Sequence, residues 1–193
     1  MESKQQINIG GMQHHPESHP IEGVELLHVF DKMKAVKAFI FDIDGVLTNN
    51  AVLVTESGEL LRTMNIRDGQ AIKWARQSNY PICIITGGRS EGTKKRLLGL
   101  GIEAYYANIT DKTTAFKSFL QLSGLLASEI CYMGDDLPDL PVLRSVGLSC
   151  CPADAVPEIK SSCDFISEYN GGEGCVRDIL ERVMKLQATW PNY

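Results

Sequence analysis

Short, near-continuous apolar runs recur along this chain, and each is followed by a stretch with helical spacing. "KAFIF", "PICII", "EICYM" and "GLSC" are short and show no polar alternation, so each reads as a strand covered on both faces. Strands are predicted over residues 37–42, 81–86, 102–106, 129–133, 147–150 and 163–167. Helices are predicted over 69–78, 90–99, 112–123, 138–145 and 174–187. This alternation implies an α/β fold, a Rossmann-like parallel sheet with helices on both faces. Helix punctuation agrees. Asp111 stands before "KTTAFKSFLQLSG", where Phe116, Phe119, Leu120 and Leu122 make an apolar face and Gly124 a stop.

Three segments stand apart. "AVLVTESGELLRTMNI" reads as two strands around Glu56-Ser57-Gly58, a β-hairpin. Residues 21–34 have the pattern of an amphipathic lead-in helix. Residues 1–20 are polar and lack the apolar stretch of a secretory signal, so they read as a flexible arm ahead of a single domain over 21–193. His14, His15 and His19 in that arm read as a solvated tail rather than a metal site.

In open α/β sheets, ligands lie beyond the carboxyl ends of the strands. The polar residues predicted there are of one kind. Asp42 and Asp44 follow the first strand, Thr86 follows "PICII", Asp111-Lys112 precede a helix, and Asp135, Asp136 and Asp139 follow "ICYMG". Carboxylates gathered at one point cannot all stay ionised without a cation. Oxygen ligands of this type suit Mg²⁺, and a lysine with a hydroxyl suits the remaining oxygens of a phosphate. The set points to phosphoryl transfer, with an aspartate as nucleophile and a second carboxylate carrying the proton. In an extended segment, positions i and i+2 face the same way, so Asp42 and Asp44 can share a site. A lone D-x-D, "TGG" or "GDD" is ordinary turn chemistry; their joint order along successive strands is the signal.

Composition narrows the rest. A net charge of −5 with no basic stripe argues against nucleic acid as the main partner. No apolar run approaches a membrane span. The six cysteines form no C-x-x-C pair, and most sit in strand-like runs, as buried thiols do in a reducing cytoplasm.

These residues resemble the haloacid dehalogenase superfamily of phosphohydrolases. Its four motifs match "DIDGVLT" from Asp42, then Thr86, then Lys112, then "GDDLPD" from Gly134, within a likeness covering residues 36 to about 187. More narrowly, "DIDGVLTNN", "NIRDGQAIK", "GDDLPDLPVL" and "GGEGCVRDILE" are similar to the branch of 3-deoxy-D-manno-octulosonate 8-phosphate phosphatases. That resemblance implies a Mg²⁺-dependent homotetramer in lipopolysaccharide-sugar synthesis. It implies Asp42 as nucleophile and metal ligand, Asp44 as acid/base and backbone ligand, and Asp135 as third ligand. Thr86 and Lys112 would bind the phosphoryl group. Asn65, Ile66, Arg67, Asp68, Gly69, Lys73, Arg96 and Arg89 match substrate-contacting positions. Two departures stand out. Relatives read T-G-R where this chain reads Thr86-Gly87-Gly88-Arg89, and Lys73 stands where arginine is common.

The intervals from Asp44 to Thr86 and from Thr86 to Lys112 are filled by the hairpin, a strand and helices, so neither holds a cap domain. An uncapped site is wet, which weakens its electrostatics. A neighbouring subunit, met through the hairpin's Val52, Leu53, Val54, Leu60 and Leu61, is the expected cover; packing on the chain's own core is the alternative. Three further readings stay open at this level. They are a phosphatase for a nine-carbon, sialic-acid-like 9-phosphate, a phosphoaspartate receiver, and an inactive assembly module on this fold. Asp44 and the complete acidic set weigh against the last two.

Overall fold

The structure, a computed structural model, describes residues 22–192, with side chains from residue 28 onward. The expected arm over 1–20 and its histidines lie outside the described residues.

Six strands form one parallel sheet: β1 (Ala38–Phe41), β4 (Ile82–Ile85), β5 (Ala104–Tyr106), β6 (Ile130–Met133), β7 (Leu148–Cys151) and β8 (Phe165–Ile166), in the order β5-β4-β1-β6-β7-β8. All six match predicted strands to within two residues at either end; β7 starts one residue later than predicted and runs one residue further, to Cys151. β1, β4, β6 and β7 are buried along their whole length, which is why their sequences show no polar alternation. Helices α1 (Glu22–Ala35), α2 (Ile66–Gln77), α3 (Glu91–Leu98) and α7 (Cys175–Leu186) cover one face, centred on Phe39, Phe41, Ile72 and Ile179. Helices α4 (Lys112–Ser123), α5 (Leu140–Leu143) and α6 (Pro157–Lys160) cover the other, around Ile40, Ile85, Phe116 and Tyr132.

The predicted helix over 138–145 is broken. A 3₁₀ turn over Leu137–Asp139 leads into the single α-turn of α5, because Pro138 and Pro141 each remove an N–H. Helix α6 was not predicted; it is four residues long and starts on Pro157, too short to show periodicity. The hairpin is present as β2 (Leu53–Val54) and β3 (Leu60–Leu61), paired Leu53 to Leu61 and Val54 to Leu60. Its apolar side chains do not pack on the core: Val52, Leu53, Val54, Leu60 and Leu61 are all exposed, Leu53 by 67%.

From β1 the chain winds through β4 to β5 on one side, then returns to β6 and winds out to β8. The order therefore reverses between β1 and β6, and the crevice at their carboxyl ends is where such sheets bind ligands.

Candidate active site

Asp42 is the first residue past β1, and its N–H still bonds the Met133 carbonyl of β6 at 3.1 Å. The sheet therefore fixes where its carboxylate begins. The chain next turns tightly through residues 43–47, closed by Thr48, whose N–H and Oγ1 reach the Ile43 carbonyl at 3.0 and 3.2 Å. Gly45 sits at φ +90° in this turn, and a Cβ there would overlap the Asp135 carboxylate. That glycine lets the loop after β1 meet the loop after β6. Asp135, two residues past β6, accepts from Asn50 Nδ2 at 3.2 Å. Lys112 is the first residue of α4, whose N-terminus is capped by Asp111 accepting from Thr113 N at 3.0 Å.

Four groups meet here. Oxygens of Asp42, Asp135 and Asp139 lie within 4.8 Å of one another, all three residues buried. Lys112 Nζ reaches Asp42 Oδ2 at 2.8 Å and Asp139 Oδ1 at 2.6 Å. Asp139 also accepts from the Tyr132 hydroxyl and from the backbone N–H groups of Asp135 (3.2 Å) and Asp136 (3.4 Å), so both its oxygens are engaged. Burial and then the Asp139 charge raise the Asp42 pKa to about 6, against the pull of Lys112. Burial, Asp139 and Asp42 raise Asp135 to about 7. Burial works to lower the Lys112 pKa, but the charges of Asp139 and Asp42 overcome it and raise it. The trio thus crowds negative charge against one ammonium, an arrangement that fits a divalent cation bound through oxygen.

Asp44 faces the hairpin side of the same rim. Arg62, the residue after β3, grips both its oxygens, Nε to Oδ1 at 2.6 Å and Nη2 to Oδ2 at 3.0 Å. Thr86, buried at the end of β4, accepts from Gly88 N at 3.1 Å. Arg89 is largely exposed; it lines the small pocket of Asp44, Arg62 and Thr86 and borders two open grooves of about 650 and 360 Å³ beside the hairpin and β5.

The remaining predicted positions divide. Asn65 caps α2, accepting from Arg67 N at 2.7 Å, and donates to the Gly172 carbonyl at 3.3 Å. Asp68 is buried and accepts from Arg177 N at 2.7 Å. It caps the first turn of α7, where Gly174 has no side chain to do so. Burial raises the Asp68 pKa to about 6. The guanidinium of Arg96, the mobile end of an exposed side chain, lies over Gly69, with Nη2 2.5 Å from where a Cβ would stand. Ile66, Arg67 and Lys73 are exposed; Arg67 opens on a separate cavity of about 380 Å³ with Tyr169, Glu173 and Arg177. Gly171 and Gly172 pack against the backbone of Gly45 and Thr48, so the start of α7 braces the turn that carries Asp44.

Arg62, Asn50 and Tyr132 were not singled out from sequence. Arg62 and Asn50 lie in polar stretches beside the hairpin, and Tyr132 reads as one more strand aromatic. No local pattern marks contacts made across the fold.

A family model described as haloacid dehalogenase-like hydrolase matches residues 106–179. The 3-deoxy-D-manno-octulosonate 8-phosphate phosphatase of Salmonella typhi is 35% identical over 160 residues, 83% of this chain and 85% of that protein. Among solved structures, the phosphatase of that name from Yersinia pestis aligns with a TM-score of 0.82 at 31% identity, over 84% of this chain and 88% of that one. The one from Moraxella catarrhalis, in complex with magnesium, phosphate and the sugar acid, aligns with a TM-score of 0.81 at 30% identity, over 83% and 92%. The chain belongs to the haloacid dehalogenase-like hydrolases. Within them it is a phosphatase, grouped by these relatives with the 3-deoxy-D-manno-octulosonate 8-phosphate phosphatases.

Proposed function

We propose that this phosphatase converts 3-deoxy-D-manno-octulosonate 8-phosphate to the free sugar acid and phosphate, through an aspartyl-phosphate on Asp42. The observation that carries the mechanism is the buried meeting of Asp42, Asp135, Asp139 and Lys112 at the sheet's switch point. The substrate rests on relatives that bear its name and match over four-fifths of the chain.

Asp42, Asp135 and the backbone carbonyl of Asp44 would hold Mg²⁺. Asp139 is spent on Lys112, Tyr132 and two backbone amides, so its part is to aim the lysine. When bound, the ion offsets the charge of the phosphoryl oxygens, which lets an ionised Asp42 face an anion. Asp42 Oδ attacks phosphorus, and the bond to the sugar oxygen breaks as that oxygen takes a proton from Asp44. Water then attacks the same phosphorus, Asp44 takes its proton, and phosphate leaves Asp42. Lys112 and Thr86 bind the phosphoryl oxygens. A steady-state panel tests the substrate. Turnover of the eight-carbon 8-phosphate is expected to exceed that of a nine-carbon 9-phosphate and of simple sugar phosphates by about 10²-fold in kcat/KM. Equal rates across the panel would remove the assignment.

The cover for this open site is a second copy of the chain, in a homotetramer working in the cytoplasm on lipopolysaccharide precursors. Two observations support shared sites. The hairpin exposes five apolar side chains, with Leu53 and Leu61 paired on one face, which a monomer gains nothing by showing. Arg67 lines a cavity separate from the groove of Arg62 and Arg89, so it is available to a neighbour's sugar. Replacing Leu53 and Leu61 by glutamate is expected to give a smaller particle by light scattering. Sugar-phosphate turnover should fall at least about tenfold further than turnover of a chromogenic ester. A monomer with unchanged sugar preference would refute the shared site.

A further inference from the structure

We propose that Arg62 is a positioning residue: it holds the proton-carrying carboxylate of Asp44 in place, by a contact from the stem of the hairpin. The inference rests on the aspartyl-phosphate reading above. The guanidinium meets both Asp44 oxygens, at 2.6 and 3.0 Å, and its third nitrogen, Nη1, donates to the Leu60 carbonyl at 3.3 Å. A planar fork joined to both oxygens of a carboxylate fixes direction as well as distance, which a lysine ammonium does not. Accessibility assigns the roles. The Arg62 side chain is 9% exposed and that of Asp44 39%, so the arginine is packed in the wall and the carboxylate opens to the rim.

The wall behind the pair is the backbone at Gly88. A Cβ there would stand 3.0 Å from Asp44 Oδ2 and 3.6 Å from both Arg62 Nη2 and Thr86 Oγ1. This is the position at which the T-G-R pattern carries arginine and this chain carries glycine. The missing side chain leaves the space beside Asp44 and Thr86 to a guanidinium arriving from β3. Tyr105 lines the same small pocket as Asp44, Arg62, Thr86 and Gly88. Asp44 itself has little else: Thr48 Oγ1 stands 3.5 Å from Oδ1. Proton transfer demands a donor and acceptor aligned within a few tenths of an ångström, and Arg62 supplies that alignment.

The test uses the full chain with Mg²⁺ and p-nitrophenyl phosphate, so it does not depend on which sugar is the natural substrate. Arg62→Ala is expected to lower kcat by about 10²-fold, with KM within about threefold. The Mg²⁺ concentration for half-activation should stay unchanged. Free guanidinium ion at non-denaturing concentration should restore about tenfold of the loss, and Arg62→Lys should recover less than that. Arg62→Lys keeps the charge and serves as the folded comparison if the alanine variant melts early. A kcat within threefold of wild type overturns the proposal. So does a rise in KM alone, which would make Arg62 a substrate ligand, or a loss that guanidinium does not relieve. A wild-type chain that fails to turn over the ester at all would instead overturn the phosphatase mechanism.

Discussion

Asp42→Asn is expected to abolish turnover, by at least about 10⁴-fold, while leaving the fold intact. The carboxamide matches the carboxylate in shape, but its oxygen is a far poorer nucleophile. Stability should not suffer. Asp42 is buried beside Asp139, and its pKa is raised to about 6, so at neutral pH its charge is held against an unfavourable environment. An uncharged side chain of the same size relieves that crowding, and Lys112 keeps its contact with Asp139. In chelator at about pH 8, the melting temperature of the variant should equal or exceed that of wild type. Near-normal turnover in Asp42→Asn would sink the covalent mechanism. An inactive variant that has also lost its melting transition would show a structural role instead.

The sequence made the sheet legible because four of its strands are buried on both faces. A residue such as Ile40 or Cys131 has no solvent side, so its neighbours are apolar too, and the run stands out. The strand ends were legible for the complementary reason: a carboxylate following such a run has left the core at the one rim where ligands bind. What stayed hidden depends on tertiary approach. The Arg62 grip on Asp44 spans 18 positions, and the Asn50 contact with Asp135 spans 85. Neither has any local pattern. Asp68 matches a substrate-contacting position by resemblance; its Oδ1 also caps α7 from another helix, a contact that the resemblance does not carry. The available signal was indirect, a helix starting after Gly174 with no capping side chain of its own. The i, i+2 argument for Asp42 and Asp44 reached only as far as the extended chain did. Strand geometry stops at Phe41, and the turn that follows hands the two carboxylates to different cations, Lys112 and Arg62.

Removing divalent metal is expected to abolish activity, and Mg²⁺ to restore it, with a pH dependence set by Asp42 and Asp135. In the metal-free protein, Asp42 and Asp135 hold their protons up to about 6 and about 7, whereas both have lost them above the ordinary value of 3.8 in the unfolded chain. The folded state therefore binds more protons across this window, and stability falls as pH rises from the unfolded value through about 7, then levels. Asp68, raised to about 6, acts in the same sense. Mg²⁺ reverses this, because it binds the ionised carboxylates and must displace those protons. Its apparent affinity should weaken by about tenfold or more per pH unit below about pH 6. Thermal melts with and without Mg²⁺ at about pH 5.5 and about pH 8 provide the check, with a larger metal-induced rise expected at the higher pH. Ca²⁺ should bind yet fail to support turnover, since its larger, looser shell spoils in-line geometry. Full activity in excess chelator would end the phosphoryl-transfer mechanism as drawn. A metal-induced rise equal at both pH values would mean that the ion binds somewhere other than Asp42 and Asp135.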